Sequence, residues 1–177
     1  MDNITRIKQV SGRFRLFFIG LMICIPIADV SFWSMYNYLP INEILILNMD
    51  VSQDLDLATR FYLLLTSLIP ISVLIYAVFT LAQLFRLYEM GIVFSAANVK
   101  RYRRLGYLII FWVLALFIST PLASLVVSIN NPPGERFITI GFEFLDVFTL
   151  ITGAIVVLIS WVMDEGRKLE DEKALTV

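Results

Sequence analysis

Residues 86–104 read RLYEMGIVFSAANVKRYRR, a stretch rich in Lys and Arg set between Phe61 to Phe85 and Leu105 to Ile129, two runs without a single Asp, Glu, Lys or Arg. Each run is long enough to cross a hydrocarbon core of about 30 Å as a helix rising about 1.5 Å per residue. Two such runs joined by a short link leave and re-enter the bilayer on the same side. The positive charge of the link holds that side in the cytoplasm during insertion. Further out lie two more basic stretches, Arg6 to Arg15 and Arg167 to Lys173, and of the 14 Lys and Arg residues only Arg60 and Arg136 fall elsewhere. The alternation implies an all-α integral membrane protein: a bundle of four transmembrane helices over approximately 14–38, 61–85, 105–129 and 141–163, with both termini cytoplasmic.

Composition agrees with this reading. Hydrophobic residues make up 59% of the chain, charged residues 16%, and the mean hydropathy is +0.81, well outside the usual range of a soluble domain. Four spans leave little of the 177 residues for a separate water-soluble unit, so a single membrane domain over 1–177 is expected. The net charge of -1 conceals a separation, because the cations collect at the cytoplasmic end while Glu43, Asp50, Asp54 and Asp56 collect at the other. Direct nucleic-acid binding is not expected from that distribution. Cys24 is the only cysteine and there is no histidine, which removes an intramolecular disulfide, a cysteine cluster and the commonest metal ligand. No metal and no cofactor are expected. The first span carries the basic flank of a signal peptide, yet its apolar stretch runs past Asp29 to Trp33 without a small-residue cleavage pattern, so it reads as a retained anchor.

Local signals fill in the connections. Gly91 suits the left-handed position that closes a helix, and Ser95 suits the cap of the next, which predicts a tight cytoplasmic turn. Tyr88, Tyr102, Tyr107 and Trp161 fall at the inner level of an aromatic belt, and Trp33, Tyr36, Tyr38, Phe61 and Tyr62 at the outer one. Pro26, Pro70 and Pro121 each remove a backbone donor within a span and are expected to bend it. Outside, Ile44 to Leu47 and Phe137 to Ile140 have strand character, and a small two-stranded extracytoplasmic cap would satisfy their backbone groups.

Asp29 is the one ionisable residue deep in a span, roughly 20 Å from the inner boundary at about 1.5 Å per residue. Glu143 and Asp146 share a face of the fourth helix and reach a similar level, and Ser67 and Ser124 lie in the same outer half of the second and third spans. A carboxylate in hydrocarbon costs about 2.5–3.5 kcal/mol on insertion scales, so Asp29 is expected to face the bundle interior, water, or a partner such as Arg60 or Arg136. Two readings follow. Asp29, Glu143, Asp146, Ser67 and Ser124 line an outward-facing pocket for a cation or small basic ligand, or they supply interhelical hydrogen bonds and helix caps.

Leu84 to Tyr107, LFRLYEMGIVFSAANVKRYRRLGY, and the tail from Ile159, ISWVMDEGRKLEDEKALTV, resemble a widespread bacterial family of four-span membrane proteins of unknown function. Members are frequently encoded beside a very small helix-turn-helix regulator of the Cro and repressor type. The resemblance therefore implies a membrane partner for a transcription factor. Read physically, both segments are cytoplasmic, and Asp164 and Glu165 are expected to approach Arg101, Arg103 or Arg104. Lys100, Arg101, Arg103, Arg104, Asp164, Glu165 and Arg167 then form a surface for a protein partner or for anionic lipid headgroups. Asp164 with Lys168 and Arg167 with Asp171 would support a helix continuing through Gly166, a residue that weakens or ends such an extension.

These features fit a membrane regulator or sensor that engages a small cytosolic helix-turn-helix regulator at its inner face. The alternative is a small transporter or channel subunit for a cation or small solute. With an apolar inner half, transport would need a homo-oligomer or a large rearrangement. No Ser and His pair, metal-ligand spacing or glycine-rich phosphate loop points to catalysis, so the chain reads as a non-enzyme.

Overall fold

The computed structural model describes residues 3–39 and 54–175, and among them every regular element is helical. Helix α1 spans Asn3–Met35 and passes into a short 3-10 turn at Tyr36–Tyr38, α2 spans Leu57–Glu89, α3 Ala96–Ser128 and α4 Phe144–Leu175. Each contains a segment long and apolar enough to cross a bilayer, so the chain is a multi-pass membrane protein. Helices α1 to α3 have 33 residues each, about 50 Å at 1.5 Å per residue, well beyond the roughly 30 Å of a hydrocarbon core. Much of the surplus stands at the basic end. There α1 starts at Asn3 rather than at residue 14, and α4 runs past Met163 and through Gly166 to Leu175.

Helix α1 packs on α2, α2 on α3 and α3 on α4, while no interface of similar extent joins α1 to α4 among the described residues. The bundle is therefore open on one side. Large apolar side chains such as Leu16, Ile23, Phe117 and Leu158 are exposed, which is stable because the surrounding lipid is as apolar as they are. Close backbone packing takes over part of the role of a hydrophobic core, and small residues permit it. A Cβ added to Gly106 of α3 would stand 2.6 Å from Val157 Cγ2 and 2.9 Å from the Gly153 carbonyl oxygen, and one added to Gly153 would stand 2.9 Å from the Gly106 carbonyl oxygen. The two backbones thus meet at a crossing that only glycine allows.

At the opposite end Trp33, Tyr36, Leu55, Leu63 and Ala123 form a compact cluster joining α1, α2 and α3. Asn37 clamps the approach to α2, its Nδ2 donating to the Leu55 carbonyl at 3.0 Å and its Oδ1 accepting from the Leu55 N–H at 3.2 Å. Asp56 then caps α2 by accepting from the Thr59 N–H at 3.0 Å. Hydrogen bonds from the Thr59 side chain and backbone hold the Asp56 carboxyl below the ordinary carboxylate range.

The cap needs correction. Phe137 to Ile140 is irregular rather than a strand. Its backbone groups are taken by hydroxyls of α3: Ser128 Oγ donates to the Phe137 carbonyl and Ser124 Oγ accepts from the Thr139 N–H, both at 2.9 Å. Ile44 to Leu47 lies outside the described residues.

Candidate functional site at the basic end

Helices α2 and α3 meet through a turn built by its own residues. Gly91 has φ +81°, its N–H donates to the Tyr88 carbonyl at 2.9 Å, and the Ile92 N–H donates to the Leu87 carbonyl at 2.9 Å. This double closure is the Schellman arrangement that a glycine just past the last helical turn permits. Ser95 Oγ caps α3 by accepting from the Asn98 N–H at 3.3 Å. Residue-by-residue reading missed Asn98. Its side chain is fully buried, with Nδ2 donating to the Ile92 and Val93 carbonyls at 3.0 and 2.7 Å and Oδ1 accepting from Ser95 Oγ at 2.9 Å. Its position three residues after a serine cap was the available signal. Tyr88 and Tyr102 join their hydroxyls at 2.6 Å, linking the two helices, and Arg15 of α1 pairs with Glu89 of α2 at 2.8 Å.

The charges on this frame are partly spent on one another. Arg103 reaches Asp164 at 3.5 Å, Arg167 reaches Asp164 at 3.4 Å and Asp171 at 2.6 Å, and Lys168 pairs with Glu165 at 3.3 Å. Of the three arginines expected near Asp164, only Arg103 makes the ion pair. Arg101 turns back to the Ala97 carbonyl at 3.0 Å, Arg104 lies over the Tyr76 ring at 5.6 Å, and Lys100 is exposed. Half-exposed pairs of this kind contribute about 0–1 kcal/mol each, so they order the surface more than they hold the fold. The Nε atoms of Arg101, Arg103 and Arg167 are buried without a hydrogen-bond partner among the described residues.

Beyond the glycine crossing a cavity of about 340 Å³ opens at this end, lined by Phe94, Ser95, Val99, Met163, Gly166 and Arg167. Gly166 is among the lining residues, and a Cβ added there would meet nothing within 4 Å. Phe94 stands at the mouth, 76% exposed.

The polar residues expected in the outer half separate into three local groups. Ser67 Oγ lies 3.0 Å from each oxygen of Asp29, and Trp33 Nε1 donates to Ser67 Oγ at 3.3 Å, so Asp29 bridges α1 to α2. Neither arginine pairs with it: Arg60 donates to the Ser34 carbonyl at 3.0 Å and Arg136 to the Asn131 carbonyl at 3.1 Å. Ser124 is committed to Thr139 and to the Pro121 carbonyl at 2.8 Å. Asp146 accepts from the Glu143 N–H at 2.8 Å at the start of α4, where an acid complements the helix dipole. Among the described residues no hydrogen bond or ion pair joins these three groups.

A family described as "Protein of unknown function (DUF2975)" matches residues 15–177, which takes in both charged segments and the apolar part of all four helices. No curated protein and no solved structure matches the chain.

Proposed function

The chain belongs to the DUF2975 family of proteins of unknown function, and from that premise we propose that it is a regulatory protein of the bacterial cytoplasmic membrane whose basic end docks a small cytosolic helix-turn-helix regulator. The observation that carries this reading is the platform that α3 and α4 raise beyond their apolar runs. On α4 the extension from Asp164 to Leu175 is roughly 18 Å long at 1.5 Å per residue, and it is tied to α3 through Arg103 and Asp164. Such a helix serves no purpose in spanning lipid, and it offers a soluble partner an ordered surface. Lys100, Arg101 and Arg104 have no carboxylate partner among the described residues, so a docking protein is expected to bring an acidic face. Their concentration, with Arg6 to Arg15 and Arg167 to Lys173, supports a cytoplasmic location of this end and of both termini.

The transport alternative has less support, since Asp29, Ser124 and the Glu143 with Asp146 pair are each engaged locally. A non-catalytic role suits the same geometry. Crosslinking in native membranes followed by purification of the full chain tests the proposal. The wild type is expected to recover a small helix-turn-helix protein. Charge reversal at Lys100 and Arg104 is expected to reduce that recovery at least tenfold at unchanged membrane abundance. Recovery of no cytosolic protein, or recovery unaffected by the reversal, would overturn it.

A further inference from the structure

Helices α1 and α4 are the two edges of the bundle. Among the described residues each has an extensive interface with one neighbour only, and their apolar segments are the least buried of the four. Each edge has a definite free side. On α1, Arg15 and Asp29 turn toward α2, while Arg6, Arg13, Gly20, Cys24 and Ala28 recur on the opposite side at steps of seven and four residues. Arg6, Arg13, Cys24 and Ala28 are exposed, and a Cβ on Gly20 would meet nothing within 4 Å. On α4, Gly153 and Asp164 turn toward α3, while Ile151, Ile155, Leu158 and Val162 stand 50–65% exposed on the far side. Glu165 and Glu172, seven and fourteen residues after Leu158, continue that side with the small drift of a seven-residue step, and both are exposed.

The two free sides are matched in level and opposite in charge. Counted from the ends of the apolar runs at Phe14 and Met163, Arg13 and Glu165 lie about 1.5 and 3 Å outside the hydrocarbon, and Arg6 and Glu172 about 12 and 14 Å, at 1.5 Å per residue. Neither Arg6 nor Arg13 has a carboxylate partner among the described residues. Glu165 pairs with Lys168, but at 67% and 53% side-chain exposure that pair leaves the carboxylate open to approach. Copies of the chain insert with the same end inside, so α1 against α1 would set arginine on arginine, and α4 against α4 glutamate on glutamate. Only α1 against α4 brings opposite charges together at both levels. Small residues alone would not set the α1 face apart from one that lipid covers, and the matched charges do. We infer that α1 of one copy packs on α4 of a second copy, Arg13 facing Glu165 and Arg6 facing Glu172. Within the bilayer the Ile155 and Leu158 ridge then lies over Gly20, Cys24 and Ala28, where small side chains let a helix come close. Each copy carries one edge of either kind, so a two-fold axis along the membrane normal forms the contact twice and leaves neither edge open.

This inference does not depend on a cytosolic partner, and its test contains none. The native Cys24 lies on the α1 side of the contact, about 15 Å into the apolar run, and Ile155 of α4 lies about 12 Å in, at 1.5 Å per residue. The full chain, at low abundance in native membranes, is oxidised with copper phenanthroline and its mass read without reductant. Ile155→Cys is expected to give a disulfide-linked product of two chains that disappears when Cys24→Ala is added. The wild type is expected to give none, and neither is Leu114→Cys, an exposed position at similar depth on α3. With Ile155→Cys in place, Arg13→Glu or Glu165→Arg is expected to lower the yield at least fivefold at unchanged membrane abundance. The two reversals together are expected to restore it to within twofold, which a loss of folding in either single variant could not do. A product from Cys24 alone would assign the α1 face to a second α1. A product from I155C that survives C24A would assign the α4 face to a second α4. No product leaves lipid on both faces, and an adduct of any mass other than two chains assigns them to another protein. Each of these outcomes would overturn the inference, as would an L114C product equal to that of I155C, single reversals without effect, or a double reversal that restores nothing.

Discussion

Among single residues, Asn98 governs the basic end more than any of the arginines around it. The arginines make half-exposed ion pairs whose loss the solvent and neighbouring charges largely repair. Asn98 is fully buried, and it is the described partner of the Ile92 and Val93 carbonyls. Asn98→Ala leaves both carbonyls and the Ser95 hydroxyl short of a partner, and it is expected to destabilise the protein by about 1–3 kcal/mol. Asn98→Asp keeps an acceptor for Ser95 but presents oxygen to oxygen at Ile92 and Val93, so it is expected to cost at least as much. Denaturant unfolding in a fixed detergent measures the loss, and hydrogen exchange locates it. Faster exchange confined to the amides between Gly91 and Val99 is expected, and unchanged exchange there would remove Asn98 from this role. Asp29, the residue that stands out first in the sequence, has a narrower role, fastening α1 to α2 through Ser67.

Between elements, the contact that sets the geometry of the basic end is the crossing of α3 and α4 at Gly106 and Gly153. A methyl group on either glycine would sit 2.6–2.9 Å from Val157 or from the facing backbone, so the helices would have to separate. Gly106→Ala and Gly153→Ala are each expected to cost about 1–3 kcal/mol, the usual range for overpacking a tight contact. Gly20→Ala supplies the control, because a Cβ there meets nothing within 4 Å and alanine favours a helix by about 0.5–1 kcal/mol. If all three variants melted alike, the crossing would not be a tight one. The sequence discloses elements of this kind unevenly. The turn at Gly91 and Ser95 was legible because every partner that closes it lies within a few residues. The glycine crossing was not, since each glycine looks like a weak point in its own helix until the other is placed against it. The same limit hid the use of Ser124 and Ser128, whose partners in the loop before α4 are brought to them only by the return of the chain.

For the whole molecule, the number of crossings was legible because it depends on how charge is distributed along the chain, whereas the neighbours of each helix were not. All four spans are apolar on nearly every face, so the sequence carries little preference for which surfaces meet. Chain connectivity and small residues decide instead, and among the described residues they leave α1 and α4 without an interface like those of the neighbouring pairs. An outward-facing pocket assembled from Asp29, Ser124, Glu143 and Asp146 presupposes such an interface. The charge distribution makes a stronger demand, that Lys100 and the end of α4 share one compartment and the loop before α4 faces the other. Replacing Cys24 with Ala removes the only native thiol, and single cysteines can then be placed at Lys100, Glu135 and Asp171, all of them exposed. A membrane-impermeant maleimide is expected to label Glu135→Cys in cells whose cytoplasmic membrane is intact. Lys100→Cys and Asp171→Cys are expected to react only after that membrane is permeabilised. If Lys100→Cys and Asp171→Cys reported different sides, the tie between Arg103 and Asp164 could not exist in the membrane, and the docking platform would fall with it.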